Sequence, residues 1–185
     1  MNLLHREDLG NAVPGLWGML HLRPLPGSPS SKEPVHAVLD AALADAKILT
    51  EVGFRGLVIE NFGDRPFLPR AVEPVTIAAM ARIAAEVKRR WPDVHLLVNC
   101  LRNDAQGALA IAVASGADAI RVNVHCGAMA TDQGILEGSA GTTLRVRRRW
   151  DGGAVRVFAD VAVKHAVPVA ERPLAVEASD LRYRG

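Results

Sequence analysis

Apolar and polar positions change period at regular intervals along this chain. Residues 15–22 (GLWGMLHL) form a short apolar run after Pro14 and read as a strand. A loop rich in proline, glycine and serine, PLPGSPSSKEP, follows it. Val38, Ala42, Leu49 and Val52 then recur at three-to-four spacing or its multiples, which predicts a helix over 35–51, and Gly53 stands where a helix C-terminal glycine belongs. The alternation repeats with a strand at 55–60 (RGLVIE) and a helix at 73–90, Pro74 being acceptable in its first turn. A third strand at 94–99 (VHLLVN) leads to a helix at 104–115 that ends at Gly116. A fourth strand at 118–125 (DAIRVNVH), a helix around 138–150 and a fifth strand at 154–160 (AVRVFAD) complete the pattern, and a weaker helix begins near Leu174.

Strands alternating with helices define the α/β class and argue for βα units on a parallel sheet. Periodicity alone leaves both a barrel and an open doubly wound sheet. No G-x-G-x-x-G or Walker motif follows the first strand, which disfavours a nucleotide-binding open sheet. Nothing in the composition marks a linker, so residues 1–185 are expected to be one domain. A closed eight-strand barrel takes about 250 residues, so five of eight strands are expected here, an incomplete barrel. The tail ASDLRYRG reads as interrupting the last helix where another strand would be due. Five barrel strands leave two unpaired edges. That predicts a fragment, a frameshifted product, or half of an oligomeric barrel with a second copy as partner.

Composition narrows the class further. Hydrophobic residues make up 49% of the chain but aromatics only 4%, so the core is aliphatic, as suits helices on a buried sheet. A net charge of +2 gives no nucleic-acid footprint. The basic runs Lys88-Arg89-Arg90 and 145–149 fall late in predicted helices and read as solvated faces that complement the helix dipole. Cys100 and Cys126 form no disulfide framework and no CxxC motif, and both read as inert packing. The opening MNLLHREDLG lacks a signal-peptide apolar region, and no run approaches the roughly 20 apolar residues of a membrane span. A cytoplasmic protein without membrane insertion is the expectation.

Each predicted strand ends in polar residues, where barrels and open sheets both place their ligands. The first ends at His21, which suits a metal or a general base, or else caps the strand end. Glu60 ends a nearly all-apolar strand, so its carboxylate must be paired, solvated or metal-bound. Asn61 and Asp64 either serve the site or shape the ENFGD turn. Asn99 and Asn123 suit a polar ligand or bonding between strands at the rim. Arg102 could hold a phosphate or carboxylate, or pair with Asp104, which reads as a helix cap. Arg121, Asn123 and His125 alternate and so share one face. His125 is the leading general acid/base candidate, with Asp160 next, and the fourth strand then reaches Thr131, Asp132 and Gln133. Asp160 could ligate a divalent cation with Glu60, or pair with Lys164, and Lys164 and His165 are candidate ligand contacts.

Five segments carry a resemblance. GMLHLRPLPGSP, VIENFGDRPF, VNCLRNDAQGALA, ADAIRVNVHCGAMATDQG and VFADVAVKHA occur in the order and rough spacing of the BtpA family. The resemblance implies a TIM-barrel fold. It also implies a link to photosystem I biogenesis, from which the family takes its name in cyanobacteria, whereas relatives outside phototrophs look like sugar- or nucleotide-related enzymes. Family members continue through the last barrel strands, which this chain lacks. Two functions are therefore expected as alternatives. One is an enzyme-like barrel binding a small phosphorylated or sugar- or nucleotide-like metabolite, with a divalent metal as a candidate cofactor. The other is a non-catalytic factor for photosystem I assembly or stability.

Overall fold

The computed structural model describes residues 15–185, and the opening segment on which the signal-peptide expectation rests lies outside them. In chain order the elements are β1 (Trp17–His21), α1 (Val35–Glu51), β2 (Gly56–Glu60), α2 (Pro74–Arg90), β3 (His95–Asn99), α3 (Ala105–Ser115), β4 (Ala119–Val122), β5 (Ala128–Thr131), β6 (Gly134–Glu137), α4 (Ala140–Arg149), β7 (Arg156–Ala159), β8 (Val167–Pro168) and α5 (Leu174–Tyr183). A short 3-10 turn, Gly152–Ala154, precedes β7.

Five strands form one parallel sheet in the order β1-β2-β3-β4-β7. Each crossover moves to the next position in the same direction. A doubly wound sheet reverses direction at a switch point, and this sheet does not. The outcome is an incomplete TIM-barrel-like arrangement.

Alternate strand positions face opposite sides. Leu57, Ile59, Leu96, Val98, Ile120 and Val122 pack against the helices, where α2 contributes Met80, Ile83 and Val87 and α3 contributes Leu109 and Ile111. The other face carries Val58, Leu97 and Ala119, with Trp17 and Phe158 beside them. Trp17 of β1 and Phe158 of β7 meet edge to face with ring centroids 6.0 Å apart, although four strand steps separate them in the sheet. The sheet is thus strongly curved, and this face is its concave side.

Two polar groups tie the framework. Asp104 caps α3, as its sequence position implies, accepting from the Gly107 amide at 2.7 Å and from the Val72 amide at 2.9 Å. Lys88 departs from expectation. Its ammonium leaves the solvated face to bond the Pro92 and Val94 carbonyls and Asp118, and Asp118 also accepts from the Leu96 amide. Arg89 and Arg90 do lie on the solvent side, both paired with Glu86.

Three other expectations are corrected. The fourth strand ends at Val122 rather than 125. The segment after it builds an unpredicted hairpin, β5–β6, which joins β8 in a small antiparallel sheet. Thr131 closes β5, and Asp132 and Gln133 form the hairpin turn, instead of extending a strand-end cluster: Thr131 Oγ1 donates to the Gly134 carbonyl, and Gly134 takes φ 97°. Finally, α5 runs unbroken through the tail to Tyr183. Among the described residues, no helix is long and apolar enough to cross a membrane.

Replacing Asp104 by alanine frees two buried amides and removes a cap, and should lower stability by about 2 kcal/mol. A urea titration should show a lower midpoint with an unchanged slope, whereas Glu86→Ala, on the solvent side of α2, should leave the midpoint where it is.

Candidate functional site

Register places the polar residues in a line. His21 pairs with Glu60, Glu60 with Asn99 and Asn99 with Arg121, one residue from each of four adjacent strands. All four belong to the concave set of alternating positions, and Asn123 and Asp160, just past the ends of β4 and β7, join them through hydrogen bonds. The row lies at the carboxyl ends of the strands, above the apolar patch of Val58, Leu97 and Ala119.

Glu60 is the centre of this row. It is only 5% exposed. Oε2 accepts from Asn99 Nδ2 at 2.7 Å and lies 3.6 Å from Arg121 Nη1, while Oε1 lies 3.8 Å from His21 Nε2. Arg121 turns its other edge to Asp160 as a two-pronged fork, Nε to Oδ1 at 2.8 Å and Nη2 to Oδ2 at 2.9 Å. Asn123 Nδ2 donates to Asp160 Oδ2 at 2.9 Å. The Asp160 hydrogen bond and the charges of Asp160 and Glu60 raise the Arg121 guanidinium further above its already high value, against the opposing pull of burial. One cation thus serves two carboxylates, and each carboxylate also accepts from one amide.

His21 is the row's solvent-facing end, with its side chain 46% exposed. Its ring stacks on Phe62, centroids 4.4 Å apart at 19°, and Arg65 sits 4.7 Å over the same Phe62 ring. Sequence reasoning passed over Phe62. The available signal was an aromatic residue two positions after a strand-end carboxylate, inside a turn otherwise made of small and polar residues.

The other candidates lie outside the row. Asn61 spends its amide on the turn: Nδ2 donates to Asp64 and to the Leu101 carbonyl, and Oδ1 accepts from the Leu101 amide. Asp64 accepts from the Leu25 amide at 2.7 Å, and burial raises its pKa above the ordinary value. Arg102 makes no pair with Asp104; its Nη2 donates to the Lys164 carbonyl at 2.7 Å. Lys164 and His165 are exposed, and no Asp160–Lys164 ion pair forms.

His125 does not share the row, because β4 has ended before it. It is 1% exposed, and neither ring nitrogen has a hydrogen-bond partner among the described residues. Burial pushes its pKa below the ordinary value. The return of the hairpin holds it there: a Cβ on Gly138 would fall 2.5 Å from Cys126 Cα and 2.6 Å from the His125 carbonyl oxygen.

Glu60 and Asp160, expected to share a cation, instead flank the Arg121 guanidinium. Among the described residues no group of three or more His, Cys, Asp or Glu side chains comes together as a metal site. Beside Asn123 and Asp160 opens a cavity of about 310 Å³, walled by the hairpin, the 163–170 segment and α5.

A sequentially ordered, curved parallel sheet with a polar row at its carboxyl ends is the design of barrel-type α/β proteins. The chain belongs to the BtpA family, whose model matches residues 13–185. An uncharacterised protein of Archaeoglobus fulgidus is 48% identical over 153 residues, which cover 83% of this chain and 61% of that protein. An uncharacterised protein of Methanocaldococcus jannaschii is 47% identical over 151 residues, 82% of this chain and 57% of the other. The Photosystem I biogenesis protein BtpA of Synechocystis is 42% identical over 168 residues, 91% of this chain and 58% of the other. The chain therefore spans about three fifths of the length of these relatives.

Two outcomes are expected. Arg121→Met strands two carboxylates and should cost about 2 kcal/mol, less than the ~3–5 kcal/mol of a fully buried broken pair because the guanidinium is partly solvated; urea unfolding measures it. The second concerns pH. The His125 pKa is depressed on folding, so below its unfolded value of about 6.5 the unfolded chain binds the extra proton, and stability is lost as pH falls toward the folded pKa. His125→Leu should flatten the dependence of the urea midpoint on pH between about 7 and 5.

Proposed function

We propose that this protein binds a small sugar- or nucleotide-like metabolite, in phosphorylated form, on the concave mouth of its sheet and acts on it as an enzyme. The continuous row His21–Glu60–Asn99–Arg121–Asp160–Asn123 carries this reading. A structural role needs no such assembly: two carboxylates, a guanidinium and two amides, held at the end of a sheet where solvent can reach one side. The row is preorganised, because each group is oriented by its neighbour before any ligand arrives.

Within it His21 and Glu60 take the acid/base role. The imidazole is accessible and its Nε2 stands 3.8 Å from the Glu60 carboxylate, so that the two groups can face one ligand together. His125 is too deeply enclosed for that task. Arg121 Nη1, which makes no short hydrogen bond among the described residues, is the group best placed to meet a ligand anion. A divalent cation would enter beside Glu60 and His21 together with oxygens of the ligand.

The second reading, a factor for photosystem I assembly or stability, is favoured by the name of the Synechocystis relative. Archaeal relatives that are at least as similar carry no such name, and the polar row has no use in that reading.

Thermal melting against a panel of sugar phosphates and nucleotides, with and without magnesium or manganese, tests the proposal. At least one compound should raise the melting temperature, and Glu60→Gln should abolish the rise. A flat panel for both this chain and a relative of full family length would overturn it.

A further inference from the structure

The cavity beside the row differs in chemistry from the row itself. Its floor is Asn123 and Asp160, and its walls are apolar, with Val124, Met129, Val163 and Leu181 among them. The floor offers acceptors. The Asn123 amide is fixed in orientation, since Nδ2 donates to Asp160, which leaves Oδ1 as the spare atom. Asn123 is only 3% exposed, and that oxygen has no partner among the described residues. A buried acceptor without a partner carries a cost of about 1–3 kcal/mol, which a ligand donor would remove. Asp160 accepts three hydrogen bonds, two from Arg121 and one from Asn123. A carboxylate has about four lone-pair positions, so one acceptor position is left over.

Charge separates the remaining options. The one lining cation, Arg172, is bound to Asp180 at 2.7 Å. That leaves no unpaired cation in the lining to draw a phosphate, and Glu177 would repel one. An ammonium group fits poorly too, because the Asp160 charge is already neutralised by the bidentate guanidinium. A hydroxyl suits both spare acceptors, and the C–H faces of a polyol suit the apolar walls.

We infer that this cavity takes the uncharged, hydroxyl-bearing end of a sugar- or polyol-like ligand, with its phosphate held elsewhere. The inference rests on the proposed metabolite-binding role and specifies which part of the ligand enters here. Asn123 is the discriminating contact.

The test is ligand-observed saturation-transfer NMR on the 185-residue chain, with D-ribose, ribitol, inorganic phosphate and 1,4-diaminobutane as probes. D-ribose and ribitol should bind, and equal concentrations of phosphate or diamine should not displace them. Asn123→Leu should weaken the polyols about tenfold, the worth of one hydrogen bond to an uncharged acceptor. Val169→Trp, at an exposed lining position where folding is not at stake, should block the cavity and abolish the signal. Displacement by phosphate or diamine overturns the inference, as does polyol binding untouched by Val169→Trp. If sugar phosphates raise the melting temperature equally in the wild type and in Val169→Trp, the mouth reading stands and this one falls. If no compound binds any form, this inference falls, and the mouth reading falls with it when a relative of full family length is flat as well.

Discussion

The concave face depends on one guanidinium. Glu60 and Asp160 stand on strands that are not neighbours, and both sit where the sheet curves inward. Two carboxylates there would repel each other and lose hydration with nothing in return. Arg121 lies between them and turns a different edge to each. Buried pairs of this kind seldom add net stability over an apolar alternative. Their effect is positional: the side chains of three strands are fixed relative to one another, and Asn99 and Asn123 are then oriented by the carboxylates they serve.

That arrangement follows from sheet register. A slip of one residue in any strand would send its polar member to the helix side and an aliphatic one to the mouth. Two aliphatic layers oppose such a slip. Leu57, Leu96 and Ile120 are seated among the helices, and Val58, Leu97 and Ala119 fill the concave floor. Lys88 and Asp118 brace the opposite end of β3, where the lysine reaches the Pro92 and Val94 carbonyls.

The βα alternation was legible because each unit announces itself locally. α1 has an aliphatic stripe before Gly53, β2 is a continuous apolar run, and α3 opens on a capping aspartate. The row was legible as strand-end residues, since period two assigns faces without knowledge of the tertiary fold. Three things were not. The hairpin has short strands of weak alternation, AMAT and GILE, and its turn residues looked like more of the polar cluster. Asn61 and Asp64 could not be separated from the site, because the partners that engage them, Leu25 and Leu101, are distant in sequence. His125 was misplaced because alternation was carried past the true end of β4; once the strand stops, period two no longer sets direction.

The row takes at most one or two groups from each βα unit, and the cavity wall comes from a different part of the chain altogether. The hairpin, β8 and α5 contribute nothing to the line from His21 to Asp160. The two parts are therefore separable in the way a tool's handle is from its bit. Exchange of the wall would change which molecule is admitted, while the charged line beneath it stays as it is. Relatives that share the line and differ in the wall would then be expected to share a type of chemistry and differ in what they accept.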